Sequence, residues 1–377
     1  VYDARDTDGE LRTENSSFVT GVPGAACYMS LLDGNLHSRL KRTMQVRTPR
    51  VESHYYRGMD DRLFLETVWN VAGKITGDLS AEGGARVPET TPEGIGWTRL
   101  MDMPGIDLWY PVTVDSVLWE TIPTAEKDAL MVAAAAIPGG ERDLPETGTE
   151  WILRSASGAE ADNCAFSDRI LWVEEGGGML RAPLPERTNG EYLVTLRLRT
   201  EHNEPFSFRV NGKETEKIGA GYPADYDQEL FTVRVPCSAE EVLVEITEGV
   251  YPGMEIEIAF NSYDGIAERV KALNTCGLEG LSCRPGQVSG RIECPEDGVL
   301  ALSVPFDDGW MCRVDGARAD VLQVNGFFPG IRLGTGAHTV EFRYVSRALW
   351  TGVAVTILTA VSLALTAWMK RRKRIHG

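Results

Sequence analysis

Seven cysteines, five histidines and pairs of adjacent carboxylates carry most of the reactive chemistry in this chain, and their spacing limits what they can do together. His37, His54, His202, His338 and His376 stand far apart, with no two at the short separation that brings metal ligands to one face. Cys27, Cys164, Cys237, Cys276, Cys283, Cys294 and Cys312 include no CxxC pair, so no metal site is expected. Cys276 with Cys283, or Cys294 with Cys312, can close disulfides, and scattered buried thiols fit the spacing equally well. An odd count leaves at least one thiol outside any bridge within the chain. Asp60-Asp61, Glu174-Glu175 and Asp307-Asp308 are neighbours in sequence, which on a strand sends them to opposite faces and in a turn sends them to water. There is no GxSxG elbow, Walker loop, HExxH or strand-linked GxGxxG. No catalytic, metal-ligating or cofactor-binding residue is therefore assigned. Recognition remains: Trp109, Tyr110, Trp172, Trp310 and Phe327-Phe328 lie near turns, where exposed rings stack on the apolar faces of sugars. The same rings are equally suited to closing the end of a core.

The elements that must position them are mostly strands. From about residue 150 the apolar period is two: Val194, Leu196 and Leu198 alternate with Thr195, Arg197 and Arg199, and Val242, Val244 and Ile246 follow the same rule. Asn189-Gly190 and Asn211-Gly212 mark turns, because Gly takes positive φ freely and Asn tolerates it. Residues 150–262 read as a β-sandwich, and residues 263–276 as a linking helix from Asp264 to Leu273, capped by Asp264. Residues 278–346 read as a second, membrane-proximal sandwich, with turns at Asp297-Gly298, Asp307-Asp308-Gly309, Asp315-Gly316 and Asn325-Gly326. The two regions echo one another: Arg209-Val210-Asn211-Gly212 is matched by Arg313-Val314-Asp315-Gly316, and Val244-Glu245-Ile246 by Val340-Glu341-Phe342.

Residues 1–145 are mixed α/β. Asp33 is placed to cap a helix from Asn35 to Lys41, and Asp60 one through Leu63, Phe64 and Val68. A strand is expected over Val71 to Ile75, a long loop from Gly77 to Gly96, and a helix from Thr124 to Ile137 stopped by Pro138-Gly139-Gly140. The fold class expected is thus α+β, mostly β, with two jelly-roll-like antiparallel sandwiches.

The chain ends in a different solvent. From Trp350 to Trp368 no residue is charged, and at about 1.5 Å per residue this stretch matches the ~30 Å hydrocarbon core of a bilayer. Residues 348–369 therefore read as a transmembrane helix with tryptophans at both ends. The block Lys370, Arg371, Arg372, Lys373 and Arg374 within residues 370–377 places the tail in the cytoplasm and the body outside it. Gly352, Thr356, Ala360 and Ala364 form a small-residue row that suits a helical neighbour. Taking the five tail cations from 38 leaves 33 basic against 55 acidic side chains, −22 for the remainder. So acidic a body argues against nucleic acid. Val1 is not a Met and no export signal follows it, so further membrane spans are expected upstream of Val1 in a longer polypeptide.

The order of these signals resembles the C-terminal half of the YfhO family of bacterial polytopic membrane proteins. The residues that carry the resemblance are Val304-Pro305-Phe306-Asp307-Asp308-Gly309-Trp310, Val314-Asp315-Gly316, Val324-Asn325-Gly326-Phe327, Gly330-Ile331 and Gly336-Ala337-His338, followed by the strand to Tyr344 and the final span. Phe306 stands where the family usually has Tyr. Upstream, Glu126-Lys127 opens a helix as in the family, whereas Asn70-Val71-Ala72-Gly73-Lys74 departs from its pattern. The resemblance implies a GT-C glycosyltransferase-like protein that moves sugars from polyprenyl-phosphate donors to cell-envelope polymers such as teichoic acids. It places the catalytic acids in early loops that this chain does not match, so none is carried over. The resulting expectation is a plasma-membrane protein in touch with lipid and cell-envelope glycopolymer. A singly anchored carbohydrate-binding or adhesion protein is the alternative.

Overall fold

The computed structural model describes residues 105–375 apart from 203 and 218–228, together with residues 2–4, 26–28, 39–46, 55–57, 59–60, 62–69, 73–75, 86–90 and 96–100. Strand-rich and antiparallel in the main, with one long apolar helix at its end, it has the expected fold class. The chain divides into two compact units. One holds residues 1–277, 293–306 and 322–336; the other holds 278–292, 307–321 and 337–377.

Period-two alternation builds the sandwich of the first unit. Its back sheet runs Thr149–Leu153, Glu255–Ser262, Gly190–Arg197, Leu230–Pro236, and its front sheet Glu160–Asp162, Gly178–Pro183, Glu241–Ile246, Phe206–Val210, Lys213–Lys217. Tyr192, Val194, Leu196 and Leu198 of the back sheet share a core with Leu180, Val242, Val244 and Phe208 of the front. Burying each such side chain contributes roughly 1.5–3 kcal/mol. A small third sheet, Cys164–Ser167, Ile170–Val173 and Gly249–Pro252, closes one end.

Helices α1 (Leu63–Val68), α2 (Ser116–Thr121) and α3 (Thr124–Met131) share one core in the same unit, and α1, α3 and Gln45, which follows the π-turn Arg39–Thr43, cover the back sheet's other face. Polar groups set this packing. Arg62 donates to both Asp128 oxygens at 2.5 and 2.7 Å and to the Met44 carbonyl, with both side chains fully buried. Glu191, on the back sheet, accepts from Tyr263 Oη at 2.8 Å and from the Leu63 amide, and faces Arg234 at 3.4 Å. Burial pushes the Asp128 and Glu191 carboxyls up, opposed by Arg62 and Arg234 respectively. Asn261 donates to the Ala125 carbonyl and Trp151 to Glu126, both in α3.

A second sheet of this unit, Leu322–Val324, Phe328–Leu333, Gly298–Leu302, Asp107–Tyr110, joins segments nearly two hundred residues apart. Asn325, at φ +51, heads its hairpin; its side chain accepts the Ala136 amide at 2.7 Å while its own amide donates to the Ala136 carbonyl. This contact explains why the helix expected to reach Ile137 stops at Met131. Ala135–Ile137 is a strand, parallel to Thr113–Asp115, because the backbone bonds offered there outweigh alanine's helical preference. Other expectations are corrected as well. Asp60 lies at φ +58 and is not a cap; α1 begins after Arg62 with no side-chain cap. Asp264 accepts from Asn189 rather than capping α4 (Ile266–Leu273), whose preceding residue is Gly265 at φ +73, although Ile266, Val270 and Leu273 are buried as expected. Arg86–Thr90 is a strand inside the stretch read as a loop. Of the helix expected from Asn35, residues 35–38 and its cap lie outside the described residues.

In the second unit the sheet runs Glu279–Arg284, Gln287–Cys294, Gly336–Tyr344, Trp310–Val314, Ala317–Ala319, and helix α5 (Arg347–Ile375) follows. The echo between the two regions is geometric. Phe208, Arg209 and Val210 face Ile246, Glu245 and Val244, as Cys312, Arg313 and Val314 face Phe342, Glu341 and Val340. In each case the turn residue, Asn211 or Asp315, exchanges two bonds with the neighbouring strand, at Leu243 or Thr339.

Asp128→Ala should destabilise the fold by about 3–5 kcal/mol in chemical denaturation, because it leaves the Arg62 charge buried and unpaired. Replacing both partners, Arg62→Met with Asp128→Leu, should recover most of that loss.

Candidate glycan-binding groove and membrane helix

Outward-facing residues of the front sheet, between two loops, line a groove of about 1140 Å³. Its floor is Met179, Ser207, Arg209 and Glu245, which alternate with the core residues Leu180, Phe208 and Ile246 on the same strands. Arg209 bridges two carboxylates, Glu245 at 3.4 Å and Glu214 at 3.5 Å. One wall is the turn Gly176-Gly177, with φ of +91° and +87°, tied down by Asn163, whose amide donates to the Glu175 and Gly177 carbonyls. The other wall is fixed by Thr247, which exchanges bonds with Ser207 and receives its carbonyl's partner from Tyr251 Oη at 2.9 Å. Asp162, Glu204 and Glu248 add negative charge at the rim. Carboxylates that accept and a guanidinium that donates, over a fixed floor, suit a polyhydroxylated ligand that is neutral or cationic.

A smaller recess of about 410 Å³ holds Arg169, Arg197, Arg199, Glu229 and Glu255. Its charges are spent on each other: Arg197 meets Glu255 at 3.0 Å and Glu229 at 3.6 Å, Arg199 meets Glu229 at 3.7 Å, and Arg169 also pairs with Glu255.

The aromatic residues singled out in the sequence do not gather at either place. Trp109, Tyr110 and Phe327 are at most 2 % exposed, and Phe328 is fully buried. Tyr110 donates to the Met131 carbonyl, and the rings of Phe327 and Phe328 pack edge-on against Trp69. A ring so enclosed offers no face to a sugar. Trp172 is 37 % exposed on the strand Ile170–Val173, opposite Val250. Trp310 is half-buried against Phe342 and Tyr344. The groove residues escaped sequence reading because charge alternating with Phe206, Phe208, Val244 and Ile246 reads as an ordinary solvated strand face.

The thiols divide by burial. Cys164, Cys237, Cys276, Cys283, Cys294 and Cys312 are all free, with Cys276, Cys294 and Cys312 buried and Cys283 exposed. Burial pushes Cys294 up to about 11 and Cys312 up to about 12. Among the described residues no cluster of three or more His, Cys, Asp or Glu is set to hold a metal.

Helix α5 contains Trp350–Trp368, long and apolar enough to cross a membrane, and none of that stretch is buried by the rest of the protein. Three of its hydroxyls are satisfied internally: Thr356, Thr359 and Thr366 donate to the carbonyls of Gly352, Val355 and Leu363 at 2.8 Å. In hydrocarbon an unpaired hydroxyl would be costly. Nothing lies within 4 Å of where a Cβ would project from Gly352.

A model of the bacterial membrane protein YfhO family matches residues 5–356. The chain belongs to the YfhO family. It is 20 % identical over 369 residues to the uncharacterized protein YfhO of Bacillus subtilis (strain 168), covering 96 % of this chain and 42 % of that relative. The YfhO-family segment seen here thus spans less than half the length of that curated relative. Among solved structures it is similar to a family GH115 4-O-methyl-α-glucuronidase (13 % identity, TM-score 0.23, 32 % of this chain and 19 % of that one). It is also similar to the C-terminal CBM6 of a laminarinase from Zobellia galactanivorans (16 %, TM-score 0.20, 30 % and 99 %) and to the arabinofuranosyltransferase AftD from Mycobacteria (14 %, TM-score 0.19, 46 % and 14 %). Likenesses this loose carry no argument about function.

In the native protein a maleimide should label Cys283 rapidly, while Cys276, Cys294 and Cys312 react only after unfolding; mass spectrometry of the labelled peptides reads this directly. Equal labelling of all four would contradict the burial described.

Proposed function

We propose that this chain is the extracytoplasmic C-terminal portion and final span of a YfhO-type polytopic membrane protein. That protein serves the transfer of sugars from polyprenyl-phosphate donors to cell-envelope polymers of the teichoic-acid type. This portion is non-catalytic and holds the acceptor. The observation that carries the reading is the groove around Arg209, a fixed, hydrogen-bonding sheet face on a chain that also contains a membrane-length apolar helix. The cations from Lys370 to Arg374 support a cytoplasmic tail and an extracytoplasmic body. The acidic lining sharpens the proposal. Glu245, Glu214 and Glu248 repel phosphodiesters, so the groove takes neutral or amine-bearing sugar units and leaves any phosphate backbone outside. Trp172, 37 % exposed on a different sheet, is not among the groove residues, so the reading rests on hydrogen bonding and not on ring stacking. The other reading, a singly anchored binding or adhesion protein, draws on the fact that one helix among the described residues has the length and composition of a span.

Full-length protein in nanodiscs should bind neutral or amino-sugar oligomers in isothermal titration. Arg209→Ala and Glu245→Ala should weaken binding by tenfold or so while changing stability by under about 1 kcal/mol, since the pair is exposed. Flat titrations of the unmutated protein with such glycans would remove the acceptor-binding role. A second test addresses the helix. Gly352→Leu with Ala360→Leu should reduce crosslinking of α5 to neighbouring membrane helices, and unchanged crosslinking would favour the singly anchored alternative.

A further inference from the structure

We infer that the end of the second unit from which α5 departs is a phospholipid-headgroup contact, seated by Trp310, Met311, Arg343 and Tyr344. The inference rests on the membrane reading of α5 and is independent of the groove. Only Val345 and Ser346 separate the strand Gly336–Tyr344 from α5, and the apolar stretch begins at Trp350. Three extended steps and one helical turn from Tyr344 to Trp350 reach at most about 15 Å. Each headgroup layer is about 5–7 Å deep, so this tether cannot lift the strand end more than about 10 Å clear of it.

The strand end is also braced. Tyr344 donates its amide to the Gly286 carbonyl at 2.8 Å, and Val345 donates to Gly309 at 2.9 Å. The turn that receives it is tied by Asp307, whose side chain accepts the Gly309 amide at 2.7 Å and whose carbonyl accepts that of Trp310. A Cβ on Gly309 would stand 2.6 Å from the Val345 carbonyl oxygen and 2.8 Å from the Tyr344 ring, so only glycine allows this seat. The Asp-Asp-Gly-Trp motif thereby acquires a physical role. It clamps the chain where it leaves the body.

The side chains presented there have the chemistry of a water–lipid boundary. Trp310 faces Tyr344 across the ladder and Met311 faces Arg343, with the Trp310 and Tyr344 rings 5.5 Å apart. Tyr344 is 37 % and Met311 42 % exposed, whereas Val340 and Phe342, farther along the strand and on its core side, are fully buried. Rings with an apolar body and a polar tip settle at headgroup level, and an arginine beside them reaches phosphate. Asp308 is exposed on the same turn, which suits zwitterionic or mixed headgroups rather than a densely anionic surface.

The test uses the full-length protein in nanodiscs of mixed phosphatidylcholine and phosphatidylglycerol. The photocrosslinker p-benzoylphenylalanine replaces, one at a time, Tyr344, Ala317 at the opposite end of the strand pair, and Leu358 within α5. The replacement at Tyr344 keeps an aromatic ring against Trp310. Lipid adducts at 344 should exceed those at 317 on the order of tenfold, because lipid density ends at the headgroup layer. Equally low yields at 344 and 317 with abundant adducts at 358 would overturn the headgroup contact and leave the span standing. No adducts at 358 would remove the span, and the contact with it.

Discussion

The arrangement of the first unit depends on a face of a β-sheet that is polar and yet dry. Glu191, Thr232, Arg234 and Asn261 project from the back sheet, where a sandwich open to solvent would present them to water. Instead they meet α1, α3 and the turn around Gln45. Three of the four are then answered from the covering layer, Glu191 by the Leu63 amide, Thr232 by Gln45 and Asn261 by the Ala125 carbonyl, while Arg234 faces Glu191 within the sheet. Such contacts add little net stability, since the cost of removing charge from water offsets most of their attraction. What they add is direction. A covering layer rotated or shifted by one residue would leave Arg62, Asp128 and Glu191 buried without partners, and that penalty excludes the alternatives. With the back sheet so covered, the front sheet is the sandwich face left open, and the groove lies on it.

The same economy appears in the paired hairpins. Arg209 with Glu245 and Arg313 with Glu341 occupy identical register positions, beside turns that begin with Asn211 and Asp315 in the left-handed region. A side-chain oxygen at that position accepts an amide from the third strand, so the turn is fastened to the sheet as well as to its own hairpin. At Asp315 the Thr339 amide and then His338 hold the carboxyl below its usual range. Its contribution is therefore present above the ordinary carboxylate pKa and fades as pH falls through the lowered value. The two hairpins differ in what surrounds the shared arginine: Glu214 opposes Arg209, whereas Arg318 opposes Arg313. One face is acidic and carries a groove; the other is not acidic.

How much of this could be read in advance follows from the range of the interactions. Alternation along Gly190–Arg197 and Glu241–Ile246, and the turns at Asn211-Gly212 and Asp315-Gly316, are local and were legible, as was the uncharged stretch Trp350–Trp368 of α5, whose length and composition are those of a span. Trp109 and Tyr110 were not. Their strand pairs with Val299 and Leu300, and nothing near residue 109 announces a partner 190 positions away. Ala135–Ile137 misled for the same reason, since its strand is imposed by Asn325 and Thr113–Asp115 and not by its own composition. The groove was hidden differently. Each of its residues was visible, but only curvature and loop placement, which a sequence does not display, separate a binding face from a merely wet one.

Charge distribution bears on how such a body can lie near lipid. The five tail cations excepted, the second unit up to Arg347 holds six arginines against six carboxylates, while the first unit carries the −22 that the sequence leaves. Membrane surfaces are commonly anionic, and at physiological salt repulsion persists over about 8 Å. The unit joined to the span through two residues is therefore the one that can rest within that distance at no electrostatic cost. The segments that make up the unit leading into α5 are thus neutral in sum, while the chain as a whole remains strongly acidic.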